Sequence, residues 1–190
     1  MIRIGIFASG EGTNAQRFMD YFKGHEQITI SLIITNNPKA NVLARASKMG
    51  IRCLVIDRDT FYNTNKVVEE LKQKIDFIVL AGFMWMIPAN LIEAFEGKMV
   101  NVHPALLPAY GGKGMYGMNV HKAVVANGEK KSGITIHFVN EHYDEGKIIF
   151  QQECPVSSVD TPEILANNIH KLEHEFYPRV VEKLLLGNIS

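Results

Sequence analysis

The sequence predicts an α/β fold: a single domain over residues 1–190, with a mostly parallel, twisted sheet, helices on both faces and an antiparallel C-terminal strand pair. Three observations predict it. Short β-branched runs alternate with longer amphipathic segments from residue 2 to about residue 100, the pattern of a parallel sheet wound with helices. Two further strand-like runs then follow one another with only a turn-rich loop between them, which implies antiparallel pairing. The chain has 190 residues, 46% of them hydrophobic, enough to bury one full core.

In order, strands are expected at Arg3 to Ala8, Thr29 to Thr35, Arg52 to Ile56, Phe77 to Ala81 and Met99 to Val102. Helical patterns separate them at about Asn14 to Phe22, Ala40 to Met49, Thr64 to Lys74 and Pro88 to Phe95. Pro104 to Met118 is the longest irregular stretch, and a long loop in a compact domain usually carries function. The late strands fall at Gly133 to Val139 and Lys147 to Glu153. A last helix opens on Thr161 as N-cap with Pro162 in its first turn, runs its stripe through Leu165, Ile169, Leu172, Phe176 and Val180, and meets Pro178, which is expected to bend or divide it.

Twenty basic and twenty acidic residues cancel, so no global field attracts nucleic acid or a membrane surface, while small anions remain possible ligands. The N-terminus has no secretory pattern and no stretch is long and apolar enough to span a bilayer, so a cytoplasmic protein is expected. Cys53 and Cys154 lie far apart in apolar, strand-like contexts and read as buried free thiols.

Two constellations carry chemistry. After the first strand, Ala8-Ser9-Gly10-Glu11-Gly12-Thr13-Asn14 leads into a helix, bringing backbone N–H groups and a helix N-terminus to one point, as anion sites do. Thr13 or Asn14 is expected to cap that helix. The turn lacks the Gly-Lys-Ser/Thr ending of a nucleoside-triphosphate loop and does not complete Gly-x-Gly-x-x-Gly, so a phosphorylated small molecule fits better than ATP or a dinucleotide.

The second lies at the end of the fifth strand, where Asn101 and His103 alternate onto one face, at the edge where open α/β sheets bind ligands. An amide donor beside an imidazole suits attack of an amine on a carbonyl: the oxyanion needs preorganised donors and the amine must lose a proton. A carboxylate would orient such an imidazole and favour its cation, and the loop between the late strands offers Glu141, Asp144 and Glu145, among which spacing does not choose. His121 and His137 are further imidazoles in this half with no role assigned.

Ser9-Gly10-Glu11-Gly12-Thr13-Asn14, Leu80-Ala81-Gly82-Phe83-Met84, Asn101-Val102-His103-Pro104-Ala105-Leu106-Leu107-Pro108, His137-Phe138-Val139 and Asp144-Glu145-Gly146 together resemble the glycinamide ribonucleotide formyltransferases, from Ile4 to about Pro178. The resemblance implies a Rossmann-like formyltransferase domain that moves the formyl group of 10-formyltetrahydrofolate, a co-substrate, onto the amine of the ribonucleotide in purine synthesis. It implies Asn101 and His103 as the catalytic pair, with Asp144 as the carboxylate; Gly12, Thr13 and Asn14 on the phosphate, and Glu173 with His170 on the ribonucleotide. Met84, Trp85, Met86 and Ile87, with Asn140, Glu141, His142 and Tyr143, match the segments that line the folate pocket. A monomer or homodimer without metal, nucleic acid or membrane is expected.

Three departures stand out: Trp85 occupies a position where the family usually has Arg, Asp59 replaces a folate-binding Arg with Arg58 one place away, and Gly111 to Gly117 is longer than usual. Methionyl-tRNA formyltransferase and formyltetrahydrofolate hydrolase share the Asn-x-His-Pro segment, but the extra domains expected of each find no room in this chain. His170-Lys171-Leu172-Glu173-His174 also matches a His-x-x-Glu-His zinc helix, although only sixteen residues follow His174 to supply a further ligand. A non-catalytic nucleotide-binding module is the remaining alternative.

Overall fold

The computed structural model describes residues 1–189, and the backbone gathers into two compact units, Met1–Val100 and Asn101–Ser190. In the first unit β1 (Ile2–Phe7), α1 (Thr13–Tyr21), β2 (Ile28–Thr35), α2 (Asn41–Lys48), β3 (Arg52–Val55), α3 (Arg58–Asn63), α4 (Lys66–Lys74), β4 (Phe77–Leu80) and α5 (Ala89–Ala94) follow in order. The strand β5 (Met99–His103) leads into the second unit, which holds α6 (Met118–Ala126), β6 (Lys131–Phe138), β7 (Ile148–Pro155) and α7 (Pro162–Leu185). The strands form a seven-stranded sheet of order β3-β2-β1-β4-β5-β6-β7.

In the first unit β1 pairs in parallel with β2 and β4, and β2 with β3. All four residues of β4 and the last four of β1 are buried, as strands covered on both faces must be. Ile4, Ile6, Phe7, Ile33, Ile34, Ile78 and Val79 form this core, with Phe18 and Leu71 from the helices. Strand order reverses between β2-β1 and β1-β4, so the loops leaving the C-terminal ends of β1 and β4 border the crevice where such sheets take ligands.

In the second unit β6 and β7 pair antiparallel from Lys131↔Pro155 to His137↔Ile148, as the sequence predicts. Ala105, Val120, Val124, Ile134, Leu165 and Ile169 close a separate core. Thr161 caps α7, its hydroxyl accepting from the Ile164 amide at 3.3 Å with Pro162 in the first turn.

Several expectations need correction. Pro178 does not divide α7, which runs unbroken through it to Leu185. Cys53 is exposed and Cys154 half-buried, though both are free thiols; β3 is an edge strand with little covering it. Helices α3 and α6 were not expected. The first is a six-residue helix built mostly from poor helix formers, held by the Asp57 carboxylate on the Thr60 amide at 3.0 Å and by burial of Phe61. The second, Met-Asn-Val-His-Lys-Ala-Val-Val-Ala, has too few polar residues to show an amphipathic contrast.

Candidate active site

The loop after β1 is shaped by one glycine. Gly12 takes φ 69° at the N-cap of α1, and a Cβ there would lie 2.5 Å from Cγ2 of Val42, so both conformation and space demand glycine. This corrects the expected cap: Thr13 and Asn14 fall inside the helix, whose start has no side-chain cap. The turn is fixed instead by Arg45, whose Nε donates to Glu11 O at 2.7 Å, and by Asn41, which donates to the Glu11 carboxylate at 2.6 Å.

The neighbouring loop, after β4, is tied to it. Ser9 N donates to Gly82 O at 3.1 Å, and the Ser9 hydroxyl accepts from Met84 N at 2.8 Å. Beyond that anchor Met84 and Met86 are exposed, Trp85 is half-buried and Ile87 is buried. Asn140, Glu141, His142 and Tyr143, on the other predicted folate segment, are all exposed in the second unit.

The polar centre of the second unit begins on β5. Alternation puts Asn101 and His103 on one face, and of the three carboxylates considered it is Asp144, on the β6–β7 connection, that lies beside His103. Asp144 Oδ2 lies 3.4 Å from His103 Nδ1, and Oδ1 lies 3.7 Å from His137 Nε2. Glu141 and Glu145 are exposed. Asp144 adopts φ 58°, a left-handed conformation that few side chains other than Asn and Asp accept readily. Two residues on, a Cβ at Gly146 would stand 1.7 Å from Phe138 O, so glycine alone lets this turn close against β6.

Each imidazole is held from its other side. His103, 3% exposed, has Nε2 2.7 Å from Tyr110 O, so that nitrogen carries the hydrogen. His137 Nδ1 stands 2.8 Å from Phe138 O and donates to it, leaving Nε2 as acceptor for the Asn101 amide at 3.2 Å. Burial pushes the His137 imidazole below its ordinary value, partly opposed by the Phe138 carbonyl and Asp144. His137 is therefore the neutral partner that fixes Asn101, and its strand position two residues past Thr135 is the signal that would have found it.

Thr135 organises the loop after β5. Fully buried, its hydroxyl donates to Ala105 O at 2.7 Å and accepts from Leu107 N at 3.0 Å and Gln151 Nε2 at 2.9 Å. Gly112 N donates to Asp144 Oδ2 at 2.9 Å, so the longer glycine segment returns to the carboxylate.

On α7, Glu173 is buried and accepts from His170 Nδ1 at 3.0 Å; its carboxylate holds the His170 imidazole above its ordinary value. The rings of His170 and His174 stack 6.2 Å apart, and no group of three or more His, Cys, Asp or Glu is gathered as a metal site among the described residues. His121 is buried on α6 with its imidazole pushed below the ordinary value, chiefly by that burial.

The model of the formyl transferase family matches residues 2–181. The chain belongs to that family. It is 34% identical over 191 residues to phosphoribosylglycinamide formyltransferase of Bacillus subtilis (strain 168), covering 97% of this chain and 95% of that protein. The chloroplastic phosphoribosylglycinamide formyltransferase of Vigna unguiculata is 40% identical over 188 residues, covering 96% of this chain. The chain spans only 60% of that plant relative and 64% of the Arabidopsis thaliana one. Among solved structures, the phosphoribosylglycinamide formyltransferase of Bacillus halodurans superposes with a TM-score of 0.86 at 38% identity, covering 96% and 95% of the two chains.

Proposed function

We propose that the chain transfers the formyl group of 10-formyltetrahydrofolate to the amine of N1-(5-phospho-D-ribosyl)glycinamide, giving the N-formyl product and tetrahydrofolate in purine biosynthesis. The observation that carries this is the cluster on β5, where Asn101 and His103 share a face and Asp144 reaches His103 at 3.4 Å. The named relatives support the acceptor. The family match runs through both units, which supports one catalytic domain over residues 1–190.

The ribonucleotide phosphate sits on the backbone of Gly12, Thr13 and Asn14, where the α1 N-terminus favours an anion. Glu173 and His170 hold the glycinamide end. The folate ring rests on Met84, Trp85, Met86 and Ile87 with Asn140, Glu141, His142 and Tyr143. The free amine attacks the formyl carbon, and the Asn101 amide stabilises the oxyanion, joined by the His103 Nε2–H, which exchanges the Tyr110 carbonyl for the substrate. As the carbon–N10 bond breaks, the amine proton passes to N10 of the departing tetrahydrofolate, relayed through His103 or water. Asp144 orients His103 and balances its charge. Each step is complete without a metal or a covalent enzyme intermediate.

Among the described residues no helix is long and apolar enough to cross a membrane. Two free thiols suit a reducing compartment, and we place the protein in the cytoplasm as a monomer or homodimer.

The deciding assay follows the absorbance change on deformylation of the donor, with and without the ribonucleotide. Turnover only with the ribonucleotide is expected. Equal turnover in its absence would make the protein a hydrolase, and silence in both would make it a binding module.

A further inference from the structure

Three successive carbonyls of the turn after β1 are each taken by a donor on a helix. Val42 N, in the first turn of α2, donates to Gly10 O at 3.2 Å; Arg45 Nε, one turn further along α2, donates to Glu11 O at 2.7 Å; and Gln16 N, on α1, donates to Gly12 O at 2.8 Å. In a planar trans peptide the N–H points opposite to the C=O. Pinning these carbonyls therefore turns the amides of Glu11, Gly12 and Thr13 the other way. Those of Glu11 and Gly12 donate to no acceptor among the described residues.

The orientation does not maintain itself. Glycine on either side of Glu11 leaves these peptide planes easy to rotate, and a rotated plane would present oxygen where an anion needs N–H. The restraint has to come from outside the turn, and Arg45 is the one side chain among the described residues that holds a carbonyl of Gly10 to Gly12. Arg45 is half-buried, and no carboxylate pairs with it among the described residues. The nearest candidate, the Glu11 carboxylate, is turned to Asn41 Nδ2 at 2.6 Å. The guanidinium charge is thus left to act on the peptide it grips. A cationic donor on a carbonyl polarises the whole peptide and strengthens the N–H on its far side, here that of Gly12.

We infer that Arg45 is a positioning residue for the phosphate of the acceptor: it locks the Glu11–Gly12 peptide with its N–H outward and polarises that N–H as a donor. This rests on the reading of Gly12, Thr13 and Asn14 as the phosphate site. Arg45 acts through the peptide, and its effect belongs to the phosphate and not to the reacting amine.

Kinetics with two acceptors, the ribonucleotide and the riboside that lacks its phosphate, separate the possibilities. The unaltered protein is expected to prefer the ribonucleotide by about 100-fold in kcat/KM, the work of two charge-assisted contacts. Arg45→Met keeps the apolar stem and removes the bond and the charge. It is expected to raise the KM for the ribonucleotide about tenfold and to change kcat by less than about twofold, the pattern of lost uniform binding, with the riboside spared. Arg45→Lys is expected to restore part of the ribonucleotide affinity. An unchanged KM in Arg45→Met would overturn the inference, as would an equal loss for both acceptors, which marks a structural role. An unaltered protein that does not distinguish the two acceptors would instead overturn the phosphate reading, and the role of Arg45 with it.

Discussion

Oδ2 of Asp144 stands 3.4 Å from Nδ1 of His103, with the Gly112 amide donated to the same oxygen. The carboxylate thus both orients the imidazole and gathers the loop that follows β5. Asp144→Asn keeps the shape and removes the charge. It is expected to lower kcat by about 100-fold or more, in line with losing an oriented proton-transfer group, while the KM for the ribonucleotide changes little. Steady-state kinetics with both substrates varied provide the check; an unchanged kcat removes Asp144 from the mechanism.

The turn carrying that carboxylate depends on a missing side chain. Because a Cβ on Gly146 would meet a backbone oxygen, Phe138 O, no side-chain rotation relieves the clash. Gly146→Ala is expected to cost more than about 2 kcal/mol, the range of strong backbone incompatibilities, and to depress turnover with it because Asp144 is displaced. Urea unfolding and the formyl-transfer assay test the two effects together. A stable, fully active variant would show that the turn holds Asp144 without this close approach.

Much of this architecture is written locally. The β-branched runs that become β1, β2 and β4 and the Thr161-Pro162 start of α7 signal themselves through periodicity and capping, so they emerge close to their expected ends. The α1 cap did not, because Thr13 and Asn14 look like caps while the backbone turns one residue earlier, on a glycine whose space is set by Val42. α3 and α6 depend on tertiary burial of Phe61, Val120 and Val124, which overrides weak local preference. The pairing of His103 with Asp144 joins residues about forty positions apart through a left-handed turn, and spacing alone holds no trace of that contact.

Thr135 illustrates the same long-range dependence. Its hydroxyl serves Ala105 O, Leu107 N and Gln151 in a fully buried position. Thr135→Val keeps the volume but strands the Leu107 amide and the Ala105 carbonyl. The expected loss is about 2 kcal/mol, the cost of leaving buried polar groups unpaired. Equilibrium urea denaturation at neutral pH measures it, and a loss below about 0.5 kcal/mol would mean that the loop finds other partners.

The buried imidazoles predict how stability responds to acid. Burial lowers the His121 and His137 values, so the folded state resists protonation that the unfolded chain accepts near the ordinary value of about 6.5. Their cost is absent above that pH and grows as pH falls from about 6.5 toward the lowered folded values. His170 has the opposite sign. Glu173 raises it, so its stabilisation is fully present below about 6.5 and disappears as pH rises through the raised value. That contribution is small, because the His170 side chain is 54% exposed and its ion pair is screened. Thermal melting from pH 5 to 9 separates the two. His121→Asn is expected to flatten the acid-side fall in Tm, whereas His170→Gln destabilises most at the acid end and not at pH 9. An acid limb in His121→Asn parallel to that of the unaltered protein would remove His121 as a source of acid lability and leave His137, beside Asn101, to account for it.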